Sequence, residues 1–301
     1  MKKILLIQEG SADEYGIKRL KEETQLLGHN FNQIKHSDLN FQFSDGYKVI
    51  DKNTGEDVIE NYDYFLFRSA KDYKTGIRFN HFTYTVKYLA NQKGKYSLNF
   101  ENSFTHYHNQ TKIYNYAVLS SYGLPIIKTW VYATLDDVKN NDDFQFPLIC
   151  KPAQESQGRG VELIKSLDEL IRYCENSKFP VCELVFQEYI QPYSETPEDI
   201  RILALGDRIL GGMKRISNHG KVTTNYSTGG SVINYELDSE LQQIVIKIMK
   251  IFNLDYCGVD IIFDNGQPKI LEINNSAQFK GFEESTGVNV AKSIIEYILS
   301  K

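Results

Sequence analysis

The 301-residue chain has no apolar run long enough to cross a bilayer, no surplus of basic charge, no internal repeat and no low-complexity tract. Each absence removes a class. A spanning helix needs about 20 apolar residues in a row, so no membrane association is expected. Lys plus Arg number 34 against 39 Asp plus Glu, a net charge of −5. That balance gives no bulk electrostatic drive toward nucleic acid. The four cysteines, Cys150, Cys174, Cys182 and Cys257, include no C-x-x-C pair and sit in apolar runs. They read as buried thiols of a reducing compartment rather than as disulfides. The opening MKKILLIQEG begins like a signal peptide, but its apolar run Ile4–Ile7 stops at Gln8 and Glu9. This is too short for a secretory core; a buried first strand and a cytoplasmic protein are expected. No G-x(4)-G-K-[ST] occurs, which rules out a Walker phosphate loop.

What is present is an ordinary globular composition, 41% apolar and 24% charged, over a length that suits two or three subdomains. The most informative stretch is Cys257–Asn275, CGVDIIFDNGQPKILEINN. Two β-branched runs flank Asn265-Gly266, a strong hairpin signal. Asp260 lies six residues before Gly266 and Glu272 six after it. A three- or five-residue loop centred on Gly266 would set the two carboxylates opposite one another. Asn274 follows Glu272 at i+2 and shares its face. Two carboxylates and an amide oxygen are hard donors of the kind that Mg²⁺ takes beside phosphates and water. In isolation the pattern also fits a surface hairpin with acidic side chains in solvent.

Three blocks follow along the chain. Residues 1–103 alternate strand candidates (Lys3–Ile7, Phe31–Lys35, Tyr47–Asp51, Tyr64–Phe67) with a polar helix from about Ala12 to Leu27, a pattern for an open α/β sheet. The last of these strands ends at Arg68-Ser69, either a ligand-facing strand end or a structural arginine. Residues 104–186 hold an amphipathic stretch headed by Lys112 and closed by Gly123-Leu124-Pro125, strands at Lys128–Ala133 and Leu148–Pro152, and a helix opening at Ser166. Residues 187–301 carry the remaining strands, the hairpin, and helices at Ser239–Phe252 and Asn289–Leu299. The fold class is α/β with α+β subdomains.

The strand ending at Lys151 runs into Pro152-Ala153-Gln154-Glu155-Ser156-Gln157-Gly158-Arg159-Gly160, and then into a second strand from Val161. Glycines let backbone N–H groups approach a ligand closely and cradle phosphate oxygens. A lysine at the preceding strand end strengthens that reading over a generic glycine-rich hairpin.

Taken in order, these pieces resemble the ATP-grasp superfamily, in particular the RimK-type carboxylate–amine ligases related to alpha-L-glutamate ligases, over about residues 100–301. The resemblance implies an ATP-grasp fold with an N-terminal open α/β domain, a central subdomain and a C-terminal subdomain. It implies that Lys112 and Lys151 contact nucleotide and that Gln157, Gly158, Arg159 and Gly160 form the loop over the phosphates. Gln187, Glu188, Tyr189 and Ile190 stand where the adenine-contacting hinge occurs. Arg201, Arg215, Lys151 and Asn225 occupy catalytic positions, Arg201 orienting a substrate carboxylate or the transferred phosphoryl group. Asp260, Glu272 and Asn274 match the metal ligands. The cofactors so implied are ATP and Mg²⁺, with Mn²⁺ as a substitute. The partners are a small-molecule carboxylate such as an amino acid and an amine on a peptide, protein or metabolite, with no nucleic acid, no membrane and a homo-oligomer by family habit. Departures stand at Thr223-Thr224-Asn225 and at Asn274-Asn275-Ser276-Ala277, where relatives show R-S-N and N-A-S-P. Both bear on the acceptor side. A ligase that cross-links a ribosomal peptide is the alternative within the family, and a nucleotide-binding module without catalysis the alternative outside it.

Other residues read more plainly. His106-x-His108 is a polar loop before it is a metal site, Ser11 a turn residue, and Tyr62, Tyr64, Phe65 and Phe67 belong to a core.

Overall fold

The computed structural model describes residues 1–10, 14–44, 46–72, 74–100, 111–155, 158–193, 196–217, 224 and 229–301. The two inner strands of the first sheet are short apolar runs buried on both faces, as inner parallel strands demand, and its edge strands are more polar and more exposed. Strand β1 (Lys3–Ile7) leads into helix α1 (Glu14–Leu26) and strand β2 (Asn30–Ile34). A hairpin of β3 (Leu39–Ser44) and β4 (Gly46–Asp51), helix α2 (Val58–Asn61) and β5 (Tyr64–Phe67) follow, then α3 (Asn80–Gln92) and β6 (Tyr96–Ser97). The order β2-β1-β5-β6 is parallel throughout, and the chain reverses its direction of winding between β1 and β5. Ligands of open α/β sheets bind at such reversals, beyond the carboxyl ends of the strands.

Helix α4 (Lys112–Ser121) is capped by Thr111, whose side chain accepts from the Tyr114 amide. Next come β7 (Thr129–Trp130), α5 (Leu135–Lys139), β8 (Leu148–Pro152), β9 (Glu162–Ile164), α6 (Leu167–Asn176) and β10 (Leu184–Glu188). Their strands form an antiparallel sheet of order β7-β10-β8-β9. The strand expected at Lys128–Ala133 is shorter than its sequence suggests, because only two of its residues find a partner in β10.

The largest sheet is antiparallel, of order β13-β12-β11-β14-β15. It is made by β11 (Glu198–Leu205), β12 (Arg208–Ile216), β13 (Ser231–Tyr235), β14 (Tyr256–Asp264) and β15 (Gln267–Asn274), with α7 (Ser239–Phe252) between β13 and β14. Helices α8 (Lys280–Thr286) and α9 (Val290–Leu299) close the chain. One face of this sheet packs on α7 and on Tyr116 and Leu119 of α4. Its other face shares a core with the first sheet, where Ile4, Leu6 and Leu66 meet Leu203, Phe282, Ile294 and Ile298. The N-terminal sheet is thereby fixed against the strands that carry the acidic hairpin. No helix among the described residues is long and apolar enough to cross a membrane.

The N-terminal core encloses His36, whose Nε2 lies 2.7 Å from Thr83 Oγ1 while the ring stacks on Phe79. Burial lowers its pKa to about 4. The unfolded chain therefore takes up a proton below about pH 6.5 that the folded chain refuses until about pH 4. Stability is full above pH 6.5 and declines as pH falls through that window, by about 3 kcal/mol in all. A His36→Gln variant should lose less stability between pH 7 and pH 4.5 in urea titrations than the parent. Equal losses would remove His36 as the cause.

Candidate active site

The site lies where the four-stranded central sheet faces the five-stranded sheet, and its floor depends on an irregularity. Asn265 and Gly266 both adopt positive φ, 48° and 79°, and form a two-residue turn that pairs Asp264 with Gln267. This corrects the expected three- or five-residue loop. A regular ladder from such a turn would place Asp260 against Leu271 and turn Glu272 to the other face. The register instead shifts between Asp260 and Ile261, so that Asp260 pairs with Glu272 and Gly258 with Asn274. The bulge leaves Leu271 outside the ladder. Its carbonyl accepts a 2.7 Å hydrogen bond from Tyr116 Oη, and the neighbouring Ile270 amide donates to the Pro125 carbonyl at 2.7 Å. Helix α4 and the turn after it thus hold the bulge that brings the carboxylates to one face.

Charges are closely paired around Asp260. Arg201 grips it with both arms of its fork, Nε to Oδ1 at 2.8 Å and Nη2 to Oδ2 at 2.7 Å. Arg215 does the same to Asp199 at 2.6 and 2.7 Å and reaches Asp260 Oδ2 at 2.8 Å. Thr224 donates to Asp199 as well. Burial pushes the Asp260 carboxyl upward, but Arg201 and Arg215 outweigh it and hold it below the usual carboxylate range. Asp199 goes the other way, raised by burial and by Asp260 against the pull of Arg215. The expected role of Arg201 toward substrate is not what the geometry favours: its fork is committed to Asp260, which suits it to positioning that carboxylate.

Two lysines enter from the opposite wall. Lys112, on the first turn of α4, donates to the Glu155 carbonyl at 2.5 Å and lies 3.1 Å from Glu272 Oε1. Lys151, at the end of β8, is buried and donates to Tyr116 Oη at 3.1 Å. Burial lowers its pKa to about 8, with Glu272 and Asp260 partly resisting. If its charge anchors phosphate, nucleotide affinity should weaken as pH rises from 7 to 9. A Lys151→Met variant should bind more weakly at pH 7 and show a flatter profile in calorimetric titration. An unchanged slope in the variant would assign the pH dependence elsewhere.

The cleft between these walls is lined by Lys112, Lys151, Glu155, Gly158, Arg215, Asp260 and Glu272 at its polar end. Ile127, Ile149, Ile262, Leu271 and the segment Gln187–Ile190 form a mainly apolar end. A flat heterocycle fits the second and its anionic tail the first. Gly160 has φ 71°, and a Cβ there would lie 2.9 Å from Pro152, so the loop folds back on β8 only with glycine. Arg159 Nε lies 3.6 Å from Glu155. The Gln187 side chain is buried and donates to Thr129 Oγ1 at 2.8 Å, a structural commitment that sequence alone did not reveal. Gln157 and Asn225 lie outside the described residues.

The expected metal ligands fit a hard cation by their chemistry. All three offer oxygen, two from carboxylates, on paired positions of one sheet face. Among the described residues, Oδ1 of Asp260 accepts from Arg201 Nε alone, which leaves that oxygen a lone pair. Asn274 Nδ2 sits 3.4 Å from Asp260 Oδ2, so its amide is already within reach of the set. Among the described residues, no group of three or more His, Cys, Asp or Glu forms a metal cage; the remaining positions would fall to phosphate and water.

Sequence reasoning missed Glu155. Its carboxylate accepts from Lys71 Nζ at 2.7 Å and Arg78 Nη2 at 3.1 Å, both from the N-terminal domain. Burial would raise its pKa, yet Lys71, Arg78 and Arg159 hold it low. Nothing in the local pattern signals contacts across so many residues. Tyr116 was visible only as an apolar position, although it lies one helical turn from Lys112 on the same face.

With this geometry in place, comparison with known proteins is direct. The family model described as RimK-like ATP-grasp domain matches residues 110–298. A probable alpha-L-glutamate ligase of Maridesulfovibrio salexigens is 32% identical over 152 residues, which are 50% of this chain and 50% of that protein. One of Legionella pneumophila (strain Corby) is 30% identical over 210 residues, 69% of this chain and 68% of that one. Among solved structures, a Chryseobacterium gregarium RiPP-associated ATP-grasp ligase, in complex with ADP and a leader and core peptide, superposes with a TM-score of 0.72. It covers 100% of this chain and 97% of that one at 16% identity, a likeness of fold.

Proposed function

The chain belongs to the RimK-like ATP-grasp family, and from that premise we propose that it joins a carboxylate to an amine at the expense of ATP, releasing ADP and phosphate. The observation that carries this reading is the convergence of Lys112, Lys151 and Arg215 with Asp260 and Glu272 in one cleft that has an apolar end for a base. ATP-grasp ligases use ATP and Mg²⁺. Here Asp260, Glu272 and Asn274 would hold Mg²⁺, or Mn²⁺ in its place, and the ion would supply charge neutralisation to the phosphates.

A carboxylate resists attack by an amine at neutral pH. Phosphorylation converts it to an acyl phosphate with a good leaving group, which an amine then displaces. The protein's part is positioning and electrostatics. Ile127, Ile149, Ile262 and Leu271 take the base, with the Glu188–Ile190 backbone along its edge. Lys112 and Lys151 meet the phosphate tail, and Arg215 steadies charge at the far end. Arg201 holds Asp260 in place, and Tyr116 holds the bulge. A water-poor cleft strengthens each of these interactions.

Two relatives named as probable alpha-L-glutamate ligases share 30–32% identity with 50–69% of the chain, and this likeness supports a free acidic amino acid as one substrate. Two side chains of a single ribosomal peptide are the second reading, in keeping with the fold shared with a peptide-bound ligase. The test is ADP release, screened over pairs of amino acids and amine acceptors with Mg·ATP. Release that requires one specific pair supports a ligase. Nucleotide binding with no turnover for any pair would favour a module without catalysis.

A further inference from the structure

Asn274 ends β15 and pairs with Gly258 at the last rung of the ladder. The ladder fixes its backbone on the side of β15. The direction in which a strand-end side chain points also depends on the residues that follow it. Three side chains hold those residues. Asn99 Nδ2 donates to the Asn275 carbonyl at 2.8 Å. Arg68 Nη1 donates to the Ser276 and Ala277 carbonyls at 3.2 and 3.0 Å, and Tyr256 Oη donates to the Ala277 carbonyl at 3.0 Å. Three successive carbonyls are thus taken by donors that stand just after β5, just after β6 and at the first residue of β14. Packing is as close as the hydrogen bonding. A Cβ on Gly258 would lie 2.7 Å from that of Ala277, so the exit segment folds back tightly against β14.

Asn99 is the centre of this bracket. It is buried, and each of its polar groups is engaged. Its amide donates to Asp255 Oδ2 at 2.6 Å, and its carbonyl accepts from Nζ of Lys87, a buried lysine of α3, at 3.2 Å. Its side-chain oxygen accepts from the Asp255 and Tyr256 amides at 2.7 and 2.9 Å. Its Nδ2 donates to the Tyr256 carbonyl at 2.9 Å as well as to Asn275. The backbone has φ 56°, a left-handed conformation that asparagine adopts more readily than most residues other than glycine. One side-chain amide thereby ties the N-terminal domain to the start of β14 and to the exit of β15. The contacts with Asp255 and Tyr256 serve domain docking. The bond to Asn275 does something else, because it falls one residue from a proposed metal ligand.

We propose that Asn99 is a positioning residue for the metal. By fixing the Asn275 carbonyl, while Arg68 and Tyr256 brace the next two residues, it sets how Asn274 offers its amide oxygen beside Asp260 and Glu272. The inference rests on the metal assignment within the ligase reading. It gives the N-terminal domain a part in a site whose ligands all belong to the C-terminal one. The Asn274 amide lies 3.4 Å from Asp260 Oδ2, so a shift of the exit segment moves it relative to that carboxylate. Groups that orient a ligand from behind set metal affinity by about tenfold to a hundredfold.

The test is calorimetric titration of the full chain with AMPPNP, in Mg²⁺ and in EDTA. The ratio of the two affinities isolates the contribution of the metal. Glycine accepts the left-handed backbone, so Asn99→Gly removes the amide without adding strain. It should cut the ratio by about tenfold to a hundredfold and leave binding in EDTA unchanged. Asn274→Ala should cut the ratio too, and adding Asn99→Gly to it should have no further effect, because both act through one ligand. Tyr256→Phe deletes a single hydroxyl and should lower the ratio by about fivefold, the scale of one neutral hydrogen bond. A parent-like ratio in folded Asn99→Gly, or in Tyr256→Phe should the glycine variant not fold, would overturn the bracket and leave the ligase reading in place. Full additivity with Asn274→Ala would do the same. Equal affinities of the parent in Mg²⁺ and in EDTA would overturn the metal assignment and the bracket together.

Discussion

Replacing Glu272 by alanine is expected to lower ligation by roughly a thousandfold or more at saturating Mg²⁺, with the fold intact. The side chain lies on a pocket wall and, among the described residues, makes one ion pair, to Lys112 at 3.1 Å. Its loss leaves no buried charge stranded, since Lys112 also donates to the Glu155 carbonyl. Asp260 would be a poor choice for the same experiment. It is buried beneath Arg201 and Arg215, and Arg215 also holds Asp199. Removing it strands the buried end of Arg201 and leaves Arg215 to Asp199 alone, a kind of change that costs about 3–5 kcal/mol in buried pairs, and so confuses stability with catalysis. ADP release measured beside near-UV circular dichroism separates the two. Near-normal turnover in Glu272→Ala would refute the assignment of the acidic hairpin.

The contrast between these two carboxylates shows what the sequence could and could not disclose. Asp260, Glu272 and Asn274 were legible because strand alternation and an Asn-Gly turn are local rules, and their facing positions emerge as expected. The route to that pairing was not legible. A two-residue turn alone would have turned Glu272 away, and the bulge that restores it is held by Tyr116 and Pro125, far off in sequence. The limits of β1, β5 and β8 followed from short apolar runs bounded by polar residues. Helix α3 did not, because Phe, Tyr, Thr and Val dominate it and favour strands. Missing α3 meant missing Lys87, since a lysine is unusual only once its helix is seen to bury it. The Lys71–Glu155 and Arg78–Glu155 pairs escaped for the same reason: they exist only because the N-terminal sheet docks on the C-terminal core.

If a carboxylate is activated as an acyl phosphate, a small strong nucleophile should intercept it. With ATP, Mg²⁺ and the correct acid, hydroxylamine is expected to yield a hydroxamate together with ADP and phosphate. An adenylating enzyme would yield the same hydroxamate with AMP and pyrophosphate, so the nucleotide product discriminates between mechanisms. The ADP route is favoured by where the cations lie. Lys112 is 3.1 Å from Glu272, Arg215 is 2.8 Å from Asp260, and both acids line the polar end of the cleft, opposite its apolar end. Charge is therefore concentrated at the tail of a bound nucleotide, where transfer of the terminal phosphoryl group needs it. Lys151→Ala should lower hydroxamate and ADP in parallel, by about a hundredfold or more, the scale for removal of one preorganised electrostatic contact. The lysine also braces Tyr116, and through it Leu271, so part of the loss will come from the bulge. Tyr116→Phe removes that brace and keeps the lysine. A much smaller loss in Tyr116→Phe than in Lys151→Ala would assign the larger effect to charge at the phosphate. AMP as the coupled product would overturn the mechanism even in a protein of this fold.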